Sequence, residues 1–311
     1  MPKICYIPKR FHGPSLAIVD AANDIIAEYK QKGFSLTLRQ LYYQFVARAL
    51  IPNTQKEYSR LGTIISDARM AGLIDWLSIE DRTRNLAKNS TWNSPSDIID
   101  ACAASYRTPM WKDQDTHIEV WVEKEALASV VQKACNPLDV GYFCCRGYTS
   151  QSEMWMASQR LVSYAKFFDK KKVVILHLGD HDPSGLDMTR DIKERLGIFF
   201  EHENVHPPVV KRIALNMDQI RQYNPPPNPA KATDSRFLDY QSLYGDDSWE
   251  LDSMDPTLIV DLVDREVRAF IDADLWGLAE DNQAREKTLL RQVAIHWSAV
   301  SNLAEELEEV E

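Results

Sequence analysis

The sequence predicts an α/β protein in three parts: an α-rich N-terminal domain over residues 1–110, a sheet domain over 111–245 and an acidic helical region over 246–311. Two observations lead to this prediction. Between residues 117 and 215, short apolar strands alternate with helical segments, which is typical of a mostly parallel sheet flanked by helices. Before and after that region, apolar residues recur at the three-to-four-residue spacing of helices. A length of 311 residues is enough for two domains with an extension.

Three helices and a short extended segment make up the predicted N-terminal domain. The first helix follows Ser15 and stops at Gly33, the second spans about 37–50 and the third about 56–72. The residues that follow, 73–84, contain β-branched side chains and are predicted to form a small hairpin. Three helices followed by a hairpin is the plan of a winged-helix DNA-binding domain, although other small helical domains share this pattern.

The sheet domain is predicted around one strongly apolar strand. Residues 172–178 read KVVILHL, a nearly continuous apolar run that is expected of a strand covered on both faces of a parallel sheet. The other elements predicted for this domain are strands over 117–122, 140–145 and 209–215 and helices over about 150–168 and 186–196.

Charge is unevenly distributed along the chain, although the total is −10. Residues 1–110 carry a net charge of +4, residues 111–240 carry −1 and residues 241–311 carry −13. A negative protein is a poor partner for nucleic acid, because lysine and arginine must neutralise the phosphates. Since the excess acid lies in the last quarter, the total does not exclude a DNA-binding function for the first two domains. We interpret the acidic region as a dimer-contact, solubilising or DNA-mimicking element.

Composition excludes several classes of protein. The chain is 44% hydrophobic, too apolar for a disordered protein, and no apolar run reaches the roughly 20 residues that a membrane span needs. Without an apolar leader at the N-terminus, we expect a cytoplasmic protein with no membrane partner. The five cysteines lack metal-ligand spacing and are interpreted as reduced thiols. No G-x-x-x-x-G-K-[ST] phosphate loop is present in the sequence.

Three carboxylates follow two of the predicted strands. Glu123 comes directly after strand 117–122, and Asp180 and Asp182 come after strand 172–178. The carboxyl ends of parallel strands form the ligand-binding edge of such sheets. Carboxylates gathered there repel one another unless a cation is present, and hard oxygen ligands suit Mg²⁺. Taken alone, however, an Asp-x-Asp after a strand is more often a helix N-cap, and a single glutamate there is more often solvated.

The two segments that carry these carboxylates read Val-Glu-Lys-Glu-Ala and Gly-Asp-His-Asp-Pro-Ser-Gly. Together they resemble a Toprim domain, the metal-binding α/β module of topoisomerases, primases and some nucleases. They are most similar to the A subunit of topoisomerase VI and its meiotic relatives, particularly the compact A-only "Mini-A" proteins of bacteria, plasmids and phages. This resemblance implies that Glu125 transfers a proton or orients a ligand, and that the Mg²⁺ ligands are Glu123, Asp180 and Asp182.

The resemblance extends to the second predicted helix. The family carries its nucleophilic tyrosine in an Arg-x-x-Tyr-Tyr-like motif within an N-terminal winged-helix domain, and residues 38–43 here read Leu-Arg-Gln-Leu-Tyr-Tyr. The resemblance implies that Tyr43 is the nucleophile and that Arg39, on the same helical face, stabilises the phenolate and the phosphate. Tyr42 falls on the apolar face and is interpreted as core. Considered without the family, paired aromatics on an amphipathic helix are usually packing residues.

The resemblance implies Mg²⁺-dependent cleavage of double-stranded DNA, with or without rejoining, through a 5′-phosphotyrosyl link. A homodimer is implied, because in the family the tyrosine of one protomer works with the metal of the other. Strand passage would need a separate ATPase, a B-like subunit, and the enzyme would be associated with the nucleoid. The alternatives are a Toprim nuclease that uses water and a non-catalytic DNA-binding regulator. Candidate phosphate contacts, each of which could instead be an ordinary surface charge, are Lys56, Arg60, Arg82, Arg84, Lys88 and Arg146.

Overall fold

The computed structural model describes residues 3–80, 89–167 and 172–308, and it shows an α/β protein with a four-stranded parallel sheet. The α-helices of these residues are α1 (Gly13–Gln31), α2 (Leu38–Ala47), α3 (Gln55–Met70), α4 (Pro95–Ser105), α5 (Ala128–Cys135), α6 (Gln151–Phe167), α7 (Pro183–His202), α8 (Met217–Tyr223), α9 (Phe237–Tyr244), α10 (Pro256–Arg268), α11 (Ala273–Ile295) and α12 (Trp297–Glu308). The strands are β1 (Thr116–Val122), β2 (Gly141–Cys144), β3 (Lys172–Leu178), β4 (Val209–Ala214), β5 (Asn228–Pro229) and β6 (Asp247–Ser248).

The parallel sheet has the strand order β2-β1-β3-β4. Each of the four strands begins and ends within one residue of the prediction, because alternating or continuous apolar patterns mark buried strands clearly. Val122 at the end of β1 pairs with Leu178 at the end of β3. The two segments that follow these strands therefore start side by side at the same edge of the sheet.

Helices cover both faces of the sheet. Val120 and Leu176 point to the face that α5 and α10 cover, where they share a core with Val263. Trp121 and Ile175, one residue out of phase, point to the face that α6 and α7 cover. This alternation is the two-residue period of a strand, and it explains why both central strands are apolar throughout.

The acidic C-terminal region takes part in the core of the sheet domain. Leu251, Met254 and Val263 belong to the same buried cluster as side chains of β1 and β3. Helix α11 packs along α4, whose Ser96 hydroxyl donates to the carbonyl of Ala294 (2.8 Å). The first part of the region that the sequence predicts as an acidic extension is thus structural core, and one of its carboxylates, Asp252, is itself buried.

The N-terminal helices surround a core of their own, made by apolar faces of α1, α2 and α3. Helix α1 begins at Gly13, before the predicted cap at Ser15, because Pro14 suits the first helical turn. A capping box starts α2, in which Thr37 and Gln40 exchange side-chain and backbone hydrogen bonds. None of the helices in the described residues is both long enough and apolar enough to cross a membrane.

The predicted hairpin lies only partly within the described residues. Up to residue 80, the segment makes one isolated bridge, between Ile79 and Leu36, and Glu80 N–H donates to the Leu36 carbonyl (3.0 Å). Residues 81–84, the remainder of the predicted hairpin, are outside the described residues.

Candidate functional site

Two of the three predicted carboxylates meet at the carboxyl edge of the sheet. The backbone N–H of Asp180 donates to Glu123 Oε2 at 2.8 Å. Both side chains are buried, with 8% of Glu123 and 7% of Asp180 exposed. The parallel pairing of β1 with β3 brings these residues together across 57 positions of sequence.

Asp182 caps the helix that follows. Its Oδ1 accepts from Gly185 N–H (2.6 Å) and from the Ser184 hydroxyl (3.0 Å), so that α7 begins at Pro183 rather than near residue 186. Asp182 is therefore a helix N-cap, and its role as a metal ligand stays a prediction. Within the described residues, Asp182 Oδ2 has no hydrogen-bond or ion-pair partner.

The loop between β3 and α7 is tight enough to require glycine. A Cβ on Gly185 would lie 2.3 Å from the carbonyl oxygen of Asp180, which no side chain could tolerate. A Cβ on Gly179 would lie 3.0 Å from Glu123 Oε2. Gly185 therefore allows the start of α7 to approach the Asp180 backbone, and Gly179 allows the loop to approach the Glu123 carboxylate.

Arg212 stabilises this loop through hydrogen bonds to its backbone carbonyls. Its guanidinium, on β4, donates to the carbonyl oxygens of Gly185 (2.9 Å), Gly179 (2.9 Å) and Asp180 (2.6 Å). Burial lowers the pKa of Arg212 to about 10, although the neighbouring carboxylates favour its charged form. Sequence analysis missed this residue, because a basic side chain in a strand gives no sign that it faces a loop rather than solvent.

A second segment, residues 249–252, lies against the same loop. His181 and Trp249 exchange two backbone hydrogen bonds (2.8 and 3.0 Å), and Leu251 N–H donates to Asp180 Oδ1 at 2.8 Å. The side chains of Glu250 and Asp252 form ion pairs with Arg39 and Lys124. Sequence analysis also missed this segment, whose only signal is the Glu-x-Asp spacing.

Lys124 and Arg39 join the carboxylate edge to the N-terminal domain. Lys124 Nζ lies 2.9 Å from Asp180 Oδ2, 2.9 Å from Glu250 Oε2 and 3.0 Å from Asp252 Oδ1. Arg39 pairs with Glu250 through Nη2 and lies 2.9 Å from Asp252 Oδ2 through Nε. One ion-pair network therefore runs from α2 to the end of β3.

Tyr43 is part of this network. It is buried, its hydroxyl accepts from Arg39 Nη2 (3.4 Å), and the phenol hydrogen-bonds to the carboxylate of Glu250. Burial raises the pKa of Tyr43, and the charges of Asp252 and Glu250 raise it further. Tyr42 instead donates to side-chain and backbone oxygens of the loop before α3, which agrees with its interpretation as core.

The electrostatics of the carboxylate pair favour an added cation. Burial raises the pKa of Asp180 to about 7, and the Glu123 charge adds to this effect while Lys124 opposes it. Burial also raises the pKa of Glu123, with a further contribution from the charge of Asp182. Two raised carboxyl pKa values at the carboxyl edge of a sheet are typical of functional sites.

The three predicted ligands are of the chemical type that a hard divalent cation prefers. All three predicted ligands are carboxylates, and among the described residues Glu123 Oε1 and Asp182 Oδ2 have no partner. Among the described residues, however, no group of three or more His, Cys, Asp or Glu side chains is arranged to hold a metal ion. The charge of Asp180 is instead neutralised by Lys124. A cation bound by Asp180 Oδ2 would have to replace Lys124 at that oxygen.

An open cleft of about 410 Å³ lies between Arg39 of the tyrosine motif and Glu123. Within it, Arg146 is exposed and pairs with Glu125 (2.5 Å). Both residues thus line the cleft but lie at its outer rim. The charged side chains around the cleft are Arg39, Glu123, Lys124, Glu125, Arg146 and Asp252.

The other predicted DNA contacts lie outside this cleft or outside the described residues. Lys56 and Arg60 are exposed on α3, where Arg60 pairs with Glu57 (2.9 Å). Other residues of α3 line a smaller cavity of about 260 Å³, and Tyr43 also lines this cavity. Three further predicted contacts are not in the described residues, namely Arg82, Arg84 and Lys88.

A larger cavity, of about 940 Å³, lies at the opposite ends of β1 and β2. It is lined largely by aromatic rings and by an ion pair in which Arg160 binds the buried Glu119 through two nitrogens (2.8 and 2.9 Å). It contains none of the carboxylates predicted from the sequence, and its ion pair is already satisfied. We therefore assign the candidate site to the carboxyl edge.

Comparison with known proteins adds no constraint to this assignment. No protein-family model matches the chain, and no curated protein is significantly similar to it.

Proposed function

We propose that this protein is a Mg²⁺-dependent DNA-cleaving enzyme similar to the A subunit of topoisomerase VI, with a winged-helix domain and a Toprim domain. One observation carries the proposal: Arg39 and Tyr43 of α2 lie in the same ion-pair network as Asp180, next to Glu123. Two motifs separated by about 80 to 140 residues in sequence are thereby adjacent in space.

In the proposed reaction, the Tyr43 oxygen attacks a DNA phosphorus, and the bond from phosphorus to the 3′ oxygen breaks. The phenol proton is lost and the 3′ oxygen gains a proton, so that a 5′-phosphotyrosyl link and a free 3′ hydroxyl result. Arg39, beside the phenol, stabilises the phenolate and the charge on the phosphate. Because the link keeps the energy of the phosphodiester, the step is reversible and rejoining is chemically possible.

Mg²⁺ would be held by Glu123, Asp180 and Asp182, and it would supply positive charge beside the phosphate and the leaving oxygen. Glu123 and Asp180 are placed by the strands that precede them, and Asp182 by the cap of α7. Double-stranded DNA is the proposed substrate. Nucleoid association and a B-like ATPase partner belong to this proposal by family resemblance. The homodimer also belongs to it by resemblance alone, because here Tyr43 and the carboxylates share a network within one chain, whereas in the family the tyrosine works with the metal of the other protomer.

The test is cleavage of supercoiled plasmid in Mg²⁺, analysed with and without protease. We expect wild type to leave a covalent protein–DNA adduct, Tyr43→Phe to form none and Asp180→Ala to abolish cutting. Tyr42→Phe is the matched control, because Tyr42 is the adjacent tyrosine on the same helix and makes only structural hydrogen bonds. Normal adduct formation by Tyr43→Phe would refute the covalent mechanism.

A metal-dependent nuclease that uses water is the second candidate. The burial of Tyr43 and its hydrogen bond to Glu250 favour this alternative, because the phenol is not exposed for attack. It predicts that Tyr43→Phe cuts as wild type does, leaves no attached protein and still needs Asp180. DNA binding without cutting by any of these proteins would instead indicate a non-catalytic regulator.

A further inference from the structure

The two cations of the network, Arg39 and Lys124, share the same two carboxylates. Glu250 Oε2 contacts both, at 2.9 Å from Lys124 Nζ and in an ion pair with Arg39 Nη2. Asp252 also contacts both, through Oδ2 to Arg39 (2.9 Å) and through Oδ1 to Lys124 (3.0 Å). Arginine and lysine gathered around anionic oxygens in this way are the usual means of binding phosphate.

The two carboxylates differ in how firmly they are held. Asp252 has no exposed side-chain surface and lies in the core, whereas a quarter of the Glu250 side chain is exposed. Glu250 also precedes the 3₁₀ turn at Leu251–Ser253 and has an extended backbone, so that its side chain is not fixed by helical packing. Glu250 is therefore the member of the pair that a competing anion can replace.

We infer that Arg39 and Lys124 bind a backbone phosphate of DNA, and that Glu250 occupies the phosphate position in the free protein. The inference rests on the proposed function, because it takes the bound phosphate to be the one next to Tyr43. Asp252 remains in place and keeps the two cations together. Lys124 is thereby assigned to DNA binding, a role that the sequence motifs did not indicate.

Displacement of Glu250 has a second consequence at the same position. Its carboxylate both neutralises Arg39 and hydrogen-bonds to Tyr43. When a phosphate replaces it, the phenol loses this hydrogen bond, and Arg39, which already donates to the Tyr43 hydroxyl, exchanges the Glu250 carboxylate for the phosphate. Entry of DNA would therefore couple phosphate binding to release of the nucleophile.

The test is the affinity for a fluorescent duplex oligonucleotide, measured by anisotropy in EDTA so that cleavage does not contribute. We expect Glu250→Gln to bind about 2- to 10-fold more tightly than wild type at low salt, because it leaves the cation pair underneutralised. The slope of log affinity against log salt should steepen by about 1. Glu266→Gln is the matched control, since it removes the same charge from a carboxylate that pairs with Lys211 and Arg265 rather than with Arg39 and Lys124, and it should bind as wild type does.

A double variant tests whether the increase in DNA affinity depends on Arg39. In the Arg39→Gln background, Glu250→Gln should no longer increase affinity. Thermal melting checks that each variant is folded, and Glu250→Ala replaces Glu250→Gln if the latter does not fold. The inference is overturned if the Glu250 variant binds no more tightly than wild type, if Glu266→Gln gains as much, or if no protein binds the duplex.

The experiments distinguish failure of the inference that Glu250 mimics a phosphate from failure of the proposed cleavage. Adduct formation by wild type, together with unchanged affinity of Glu250→Gln, would overturn the phosphate-mimic inference alone. Tighter binding by Glu250→Gln without any adduct in Mg²⁺ would overturn covalent cleavage and leave the phosphate site standing.

Discussion

At the scale of single residues, two buried carboxylates of neighbouring strands have opposite electrostatic environments. The guanidinium of Arg160, the imidazole of His117 and the indole N–H of Trp121 contact Glu119, and together they hold its pKa at about 2 in spite of burial. Asp180 is buried beside the Glu123 carboxylate, and its pKa rises to about 7. The first is a satisfied structural pair, whereas the second leaves unfavourable charge that a cation or a proton would relieve.

Replacing Arg160 with Met should destabilise the protein by about 2 to 3 kcal/mol at pH 7, because the buried Glu119 would keep its charge without its arginine partner. The folded pKa of about 2 lies below the ordinary value of 4.5. The stabilisation is therefore complete above about pH 5 and is lost as pH falls toward 2. Urea unfolding at pH 7 and pH 3 should show a smaller difference between the two proteins at the lower pH.

The control for this measurement is Arg190→Met, which removes an arginine whose ion pairs lie on the surface. It should change the free energy of unfolding by less than about 1 kcal/mol. An effect of Arg160→Met that did not depend on pH would show that lost packing, rather than the charge of Glu119, is responsible.

At the scale of elements, the start of α7 combines a structural and a proposed chemical role. Asp182 Oδ1 caps the helix, and its other oxygen points to no partner among the described residues. The cap accounts for the helix beginning three residues before the position predicted from apolar spacing. Sequence patterns place the strands well but helix ends less well, because caps and loop geometry decide the ends.

Substitutions at Asp182 can separate the two roles. Asp182→Asn keeps an oxygen that can accept from Gly185 N–H, so its stability should be close to that of wild type. Asp182→Ala should lose about 1 kcal/mol of stability. If the carboxylate binds Mg²⁺, both variants should lose metal-dependent cleavage, as measured on supercoiled plasmid. Cleavage by Asp182→Asn at the wild-type rate would mean that the residue is only a helix cap.

At the scale of the whole molecule, residues from distant parts of the chain complete both the core and the candidate site. Tyr29 of the N-terminal domain donates to Asp255 (2.9 Å), and Lys133 of α5 donates to the carbonyl of Gly33 (3.0 Å). Together with the network around Arg39, these contacts join the N-terminal helices to the sheet domain. The strongly acidic last quarter thus supplies both core side chains and the carboxylates that face Arg39.

Truncation should distinguish the part of the acidic region that belongs to the core. A chain that ends at residue 245 should not fold cooperatively, because burial of four large apolar side chains, worth about 6 to 12 kcal/mol together, is lost. These side chains are Leu251, Ile259, Val263 and Val267. A chain that ends at residue 272 keeps them and should still melt cooperatively. Circular dichroism during heating measures both, and cooperative melting of the shorter chain would contradict the prediction.

The sequence by itself determined the α/β class, the four strands of the parallel sheet and the candidate residues at the ends of β1 and β3. These features can be predicted from sequence because strand periodicity and burial are properties of consecutive residues. Arg212, Lys124 and the Glu250–Asp252 segment became apparent only in the tertiary structure. Their importance arises from contacts between residues 27 to 211 positions apart, and hydrophobic periodicity carries no information about which polar side chains meet across such separations.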